Sequence, residues 1–139
     1  MGNSNMPGSY YQKSYVSTVK YDRDGRPHRE SYQSQTIKQT DKDGRRIQES
    51  QQAYQNTKTG IEKASHERLL DDKGHKVVRQ RNRNLAEQYE HNYFKGMNEG
   101  DLPQFENEYN NYRQKVNFSQ NYKAIGNKKV NNALPSKYN

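Results

Sequence analysis

Tyr10-Tyr11-Gln12-Lys13-Ser14-Tyr15-Val16-Ser17-Thr18-Val19-Lys20-Tyr21-Asp22-Arg23-Asp24-Gly25 is the stretch on which the fold turns. Up to Tyr21 it is dense in β-branched and aromatic residues. Alternation puts Tyr11, Tyr15, Val19 and Tyr21 on one face of a strand. Asp24-Gly25 then supplies a reversal, because Asp and Gly both tolerate the positive φ of a tight hairpin turn. The same punctuation recurs at Asp43-Gly44, Thr59-Gly60 and Lys73-Gly74, with glycine spacings of 19, 16 and 14 residues. That rhythm suits strands of roughly 8–12 residues joined into an antiparallel meander.

Working outward, the later segments are more polar. Segment 28–40 is mostly Gln, Ser and Thr, with Tyr32 and Ile37 on opposite faces. Segment 46–56 puts Ile47 and Ala53 on one parity and Tyr54 on the other. Segment 61–70 is open to either reading, since Ile61, Ala64 and Leu69 also suit a helix. Segment 75–83 places Val77, Arg79, Arg81 and Arg83 together, which on a strand forms a basic ridge. A sheet this polar on both faces has weakly specified register and open edges. It suits lying on another surface or adding strands to one.

The C-terminal third reads differently. Leu85, Tyr89 and Tyr93 fall at helical spacing, and Gly96 and Gly100 break that run. Asp101 then suits an N-cap, with Pro103 near the first helical position. Leu102, Phe105, Tyr109, Tyr112 and Val116 step by three and four along one apolar stripe, predicting a helix over about 102–115. The organisation expected is a tail over 1–9, a basic β-meander over 10–84, an acidic helical region over 85–116 and a basic extended tail over 117–139.

Composition limits how far such a chain orders itself. Leu, Ile, Val and Phe make up 18 of 139 residues, about 13% against the roughly 20% below which disorder is the norm. Burial returns roughly 25 cal/mol per Å², whereas ordering costs about 1–2 kcal/mol per residue. The fold class expected is therefore mainly β: a low-core antiparallel meander of long polar strands joined by Asp-Gly and Lys-Gly turns. One or two short helices and extended termini follow, and the whole is not an independently compact globule. Order would then come from partners. Charge falls in three blocks: +7 over 1–84, −5 over 85–112 and +6 over 113–139, giving the net +8. The basic flanks suit an acidic partner.

The residues exclude most catalytic chemistries. There is no Cys, so thiolate nucleophiles, disulfides and thiolate metal sites are absent. His28, His66, His75 and His91 lack ligand spacing and read as solvated side chains. The Asp-Gly turns are not calcium loops, since Lys20, Gln39 or Leu69 stands where the first Asp belongs. No phosphate-cradling glycine loop or nucleophile elbow is present. A non-enzymatic protein without cofactor or metal is expected. No apolar run approaches the length of a membrane span, so no membrane partner is expected.

Three stretches taken in order carry a family resemblance. They are Asp43-Gly44-Arg45-Arg46-Ile47-Gln48-Glu49-Ser50; Thr59-Gly60-Ile61-Glu62-Lys63-Ala64 with His66 and the basic run from His75 to Asn82; and Phe94-Lys95-Gly96-Met97-Asn98-Glu99-Gly100-Asp101 leading to Phe105-Glu106-Asn107-Glu108-Tyr109. Over roughly 12–116 the chain resembles the myeloid leukemia factor family, although Tyr109 stands where that family has Trp. The resemblance implies a non-enzymatic adaptor.

The functional expectation is an adaptor or scaffold ordered on a large assembly. An acidic cytoskeletal surface such as tubulin, in a ciliary (axonemal) microtubule complex, suits a basic, extended, Tyr-rich chain best. Intracellular placement in the cytoskeleton or cilium follows from that reading. The alternatives are a nucleic-acid-associated or transcription-linked regulator of the nucleus, and a soluble co-chaperone adaptor. The residues expected to meet a partner are Tyr11, Tyr15, Val19 and Tyr21; Arg79, Arg81 and Arg83; and Leu102, Phe105, Tyr109, Tyr112 and Val116.

Overall fold

The computed structural model describes residues 7–118. Most of the tail expected over 1–9, and all but the start of the one expected over 117–139, lie outside the described residues. Six strands follow one another: β1 (Gly8–Tyr21), β2 (Pro27–Thr40), β3 (Arg46–Asn56), β4 (Ile61–Leu70), β5 (Lys73–Asn82) and β6 (Glu87–Lys95). They form one antiparallel sheet in the order β1-β2-β3-β4-β5-β6. A short 3-10 turn (Glu99–Asp101) leads into the helix α1 (Leu102–Lys115). The meander read from the sequence is the observed architecture.

The first two turns share a device. Gly25 N–H donates to the Asp22 carbonyl, and Asp22 Oδ1 accepts the N–H groups of Asp24 and Arg26, both at 2.9 Å. Asp41 repeats this for Gly44, Asp43 and Arg45. Only the glycine has positive φ in each, 78° at Gly25 and 84° at Gly44. These are three-residue hairpin loops ending in a left-handed glycine, not loops centred on Asp-Gly. Asn56 caps the third turn similarly, accepting from Lys58 N–H.

Two expectations need correction. The fourth reversal is not at Lys73-Gly74, which lie inside β5. It is the two-residue loop Asp71-Asp72, where Asp71 itself takes φ 56°. The region 85–94 is not helical either: β6 pairs with β5 from Asn82↔Glu87 to Gly74↔Lys95. A spacing of four is a helical step and also two strand periods, so Tyr89 and Tyr93 share a face in both geometries. The neighbouring strand decides, because β5 offers a complete ladder of backbone partners. For the same reason 61–70 is strand, paired on both sides.

The interior is small and lies at one end of the sheet. Ile37, Ile47 and Leu70 meet Phe105, Tyr109, Tyr112 and Phe118, with Met97, Leu102 and Val116 packed at its margin. The register places Gln39 opposite Ile47 and Ile47 opposite Leu70, which puts these residues on one face. The helical stripe closes over that face, with Phe105 2% and Tyr109 0% exposed. Its platform is β2–β4, not the β1 residues. Asp101 sits at the helix N-cap, but its carboxylate accepts Asn98 N–H at 3.0 Å instead of capping α1.

Gly96 fixes the turn into the helical segment. Its φ is 66°, and a Cβ there would stand 2.5 Å from the Asp72 carbonyl oxygen. Only glycine allows that approach of the two backbones.

A candidate partner-binding face

Alternation gives the sheet two different faces. One carries α1 over its β2–β4 end. Across the opposite face the register aligns Val16, Tyr32, Tyr54, Lys63, Gln80 and Tyr89, one residue from each strand. Beside this row runs a row of smaller side chains, Ser34, Gln52, Ser65 and Val78. The step between tall and short rows makes a concavity of about 760 Å³, walled by Tyr32, Tyr54 and Tyr93 and flanked by Lys63 and Lys76. No element among the described residues covers it.

The polar groups of this face are held in place. Tyr54 donates its hydroxyl to Glu30 Oε2 at 2.6 Å, and that bond to a carboxylate raises the Tyr54 pKa above the usual phenol value. Ser14 and Ser34 share a hydrogen bond of 2.7 Å. Tyr32, Tyr89 and Tyr93 remain exposed, as do Tyr10 and Val16. Such a patch, mixing aromatic surface with anchored hydroxyls, is the composition of a protein-binding surface. Its lysines are Lys20, Lys38, Lys63, Lys76 and Lys95, and its carboxylates are Glu30, Glu67 and Glu87.

The residues singled out from sequence are distributed otherwise. Tyr11, Tyr15, Val19 and Tyr21 do share a face of β1, on the helix side, and are exposed there. Arg79 and Arg81 lie side by side on β5 as expected, whereas Arg83 falls in the turn beyond it. They form no bare basic ridge. Arg79 Nε donates to Glu90 Oε1 at 2.9 Å, and the guanidinium holds that carboxyl below its ordinary range. Arg81 Nε donates to the buried Glu62 at 2.8 Å, and Arg83 approaches the same carboxylate at 3.7 Å. Of the helical stripe, Phe105, Tyr109 and Tyr112 are buried against the chain's own sheet, with Leu102 and Val116 partly buried at the margin.

The histidines are not all solvated. His75 is buried and stacks on Phe94, with centroids 5.0 Å apart. Arg68 donates to its Nδ1 at 3.0 Å, which leaves Nε2–H to donate to Asn92 Oδ1 at 2.8 Å. His66 donates to the buried Glu49, and His28 to Asp22. These are cross-strand and turn contacts within the fold. No cluster of three or more His, Cys, Asp or Glu able to hold a metal occurs among the described residues. No helix among them is long and apolar enough to cross a membrane.

The open-face row escaped the sequence reading because single-strand parity says nothing of neighbours. The turn positions carry the missing signal: once Arg23–Gly25 is fixed as the first loop, Val16 must face Tyr32, and the second loop then sets Tyr32 against Tyr54.

No curated protein and no solved structure matches the chain. Residues 1–112 match the family described as myelodysplasia-myeloid leukemia factor 1-interacting protein. The expected membership in the myeloid leukemia factor family itself is thereby corrected, since the match is to the interacting protein. With most of its length matched, the chain belongs to the myelodysplasia-myeloid leukemia factor 1-interacting protein family.

Proposed function

We propose that the chain is a non-enzymatic adaptor that binds a myeloid leukemia factor-type protein through the uncovered face of its sheet. The carrying observation is the aromatic row from Val16 to Tyr89 with its adjoining concavity, which stands opposite the helix-covered face. The family's description names a partner of that type, and aromatic side chains with anchored hydroxyls supply contact area and hydrogen bonds together. Calorimetric titration of the purified chain with a myeloid leukemia factor 1 protein tests this. Binding that Val78→Lys and Tyr93→Ser weaken, with unchanged circular dichroism, is the expected result. Absence of binding, or binding indifferent to both substitutions, overturns it.

The lysine excess on this face favours a second reading, in which the adaptor sits on an acidic assembly surface such as a ciliary microtubule. Salt-dependent co-sedimentation with microtubules is its expected signature, and co-sedimentation no greater than for a Lys63→Glu, Lys76→Glu variant rejects it.

A further inference from the structure

The two edges of the sheet are built differently. β6 is nine residues long and carries Glu87, Glu90, His91 and Lys95, the kind of charge that discourages strand addition. β1 is 14 residues long and pairs with β2 from Gly8↔Thr40 to Tyr21↔Pro27 without a bulge. It holds no Pro and no carboxylate, and its only charges are Lys13 and Lys20. Tyr10 and Val16 are exposed on one of its faces and Tyr11, Tyr15, Val19 and Tyr21 on the other. Among the described residues β1 has a strand neighbour on one side only.

We propose that β1 is a self-association edge. Two copies of the chain pair β1 with β1, antiparallel, about a two-fold axis through Tyr15. The six-stranded sheets then join into one continuous sheet with both helices on the same face.

The register follows from the residues. Opposed side chains of an antiparallel pair point to the same face, and a two-fold normal to the sheet preserves that face. The axis must therefore pass through a residue, not between two. Through Tyr15, the ladder runs from Ser9 to Tyr21: Tyr15 meets Tyr15, Tyr11 meets Val19 twice, and Tyr10 meets Lys20 twice. These are aromatic–aromatic, aromatic–β-branched and cation–aromatic pairs, all favourable across strands. No lysine faces a lysine. Moving the axis to Ser14 sets Tyr11 against Ser17 and Val19 against Ser9, and so loses the apolar matches. Moving it to Val16 shortens the ladder and sets Lys13 against Val19. The sequence of β1 is chemically self-complementary about Tyr15, which favours a second copy over a foreign strand.

The chain has no cysteine, so single-cysteine variants report the register cleanly. In the proposed dimer the two copies of residue 15 are adjacent. The two copies of residue 9 lie about 40 Å apart, at roughly 3.4 Å per residue along the ladder. Sedimentation of the whole chain across micromolar to millimolar concentration is expected to show a monomer–dimer equilibrium. A short bismaleimide is expected to join Tyr15→Cys chains in pairs and to leave Ser9→Cys chains single. Tyr15→Lys, which opposes two cations on the axis, is expected to weaken dimerisation at least about tenfold with the strand circular dichroism retained. A chain that stays monomeric throughout, equal cross-linking of the two cysteine variants, or a Tyr15→Lys variant that dimerises normally each overturns the proposal. The outcome does not depend on whether the opposite face binds its own partner.

Discussion

The Tyr112 hydroxyl donates to the Asp41 carboxylate, tying the helix to the turn between β2 and β3. The same carboxylate already organises that turn through its other oxygen, and Arg45 leaves the turn to lie over the Tyr112 ring at 4.6 Å and to bond Asp71 at 3.0 Å. Two hairpin turns and the helix therefore meet at one tyrosine.

This contact is sensitive at both ends of the pH scale. The Tyr112 bond, with the backbone N–H groups of Arg45 and Asp43, holds the Asp41 carboxyl below its ordinary value. Its stabilising effect is fully present above the unfolded value of about 3.9 and is lost as pH falls through the lowered one. Burial and the neighbouring Asp41 raise the Tyr112 phenol well above its ordinary value. That contribution is present below the unfolded value of about 10 and is lost as pH climbs beyond it. Tyr112→Phe is expected to lower the melting temperature by a few degrees at neutral pH and to flatten the alkaline limb. Asp41→Asn is expected to flatten the acid limb. Denaturation midpoints between about pH 3 and pH 11 for the three chains check this.

Phe105 lies 2% exposed with its ring 5.9 Å from that of Tyr109. Removing it opens a cavity between helix and sheet. Phe105→Ala is expected to cost about 3–5 kcal/mol in urea titration. An affinity for partner that survives at temperatures where the variant is still folded would agree with a binding face on the other side of the sheet.

Gly96→Ala meets two obstacles at once, a left-handed backbone and the carbonyl oxygen of Asp72. Its cost is expected to exceed about 1 kcal/mol. Gly100, where a Cβ meets nothing, serves as the control. Equal stability of Gly96→Ala and Gly100→Ala would refute the close approach.

The two arginine–glutamate pairs of β5 differ in burial, and their truncations should differ accordingly. Glu62 is buried, so Arg81→Ala strands a carboxylate to which Arg83 at 3.7 Å and Gln55 at 3.3 Å are more distant neighbours. A loss on the order of 3 kcal/mol is expected, partly relieved by adding Glu62→Gln. Arg79→Ala at the more exposed Glu90 is expected to cost about 0–1 kcal/mol. Chemical denaturation of the three variants ranks them.

Much of this fold is written in local chemistry. Gly25, Gly44 and Gly60 mark reversals because a left-handed backbone disfavours other residues, and the stripe from Leu102 to Val116 has only one geometry that gathers it. What local chemistry leaves open is settled by neighbours. Tyr89 and Tyr93 are strand residues because β5 lies beside them, and Asp71 turns the chain because Leu70 and Lys73 are already paired. The candidate site suffers most from this. Tyr32 and Tyr54 are unremarkable singly, and become part of a surface only when two hairpin registers are combined. Arg79 and Arg81 look like free cations until Glu90 and Glu62 arrive from adjacent strands.

The sequential strand order has a bearing on how the chain is made. Among the described residues every strand pairs only with its neighbours in sequence, so each hairpin can zip onto the last as it leaves the ribosome, a low-contact-order route that favours rapid formation. The helix is the exception, because Tyr112 reaches back across 71 residues to Asp41. Until α1 emerges, Ile37, Ile47 and Leu70 lack the cover that the folded chain gives them. The nascent chain therefore passes through a stage that offers an unshielded apolar end to whatever chaperone or sister chain is close by.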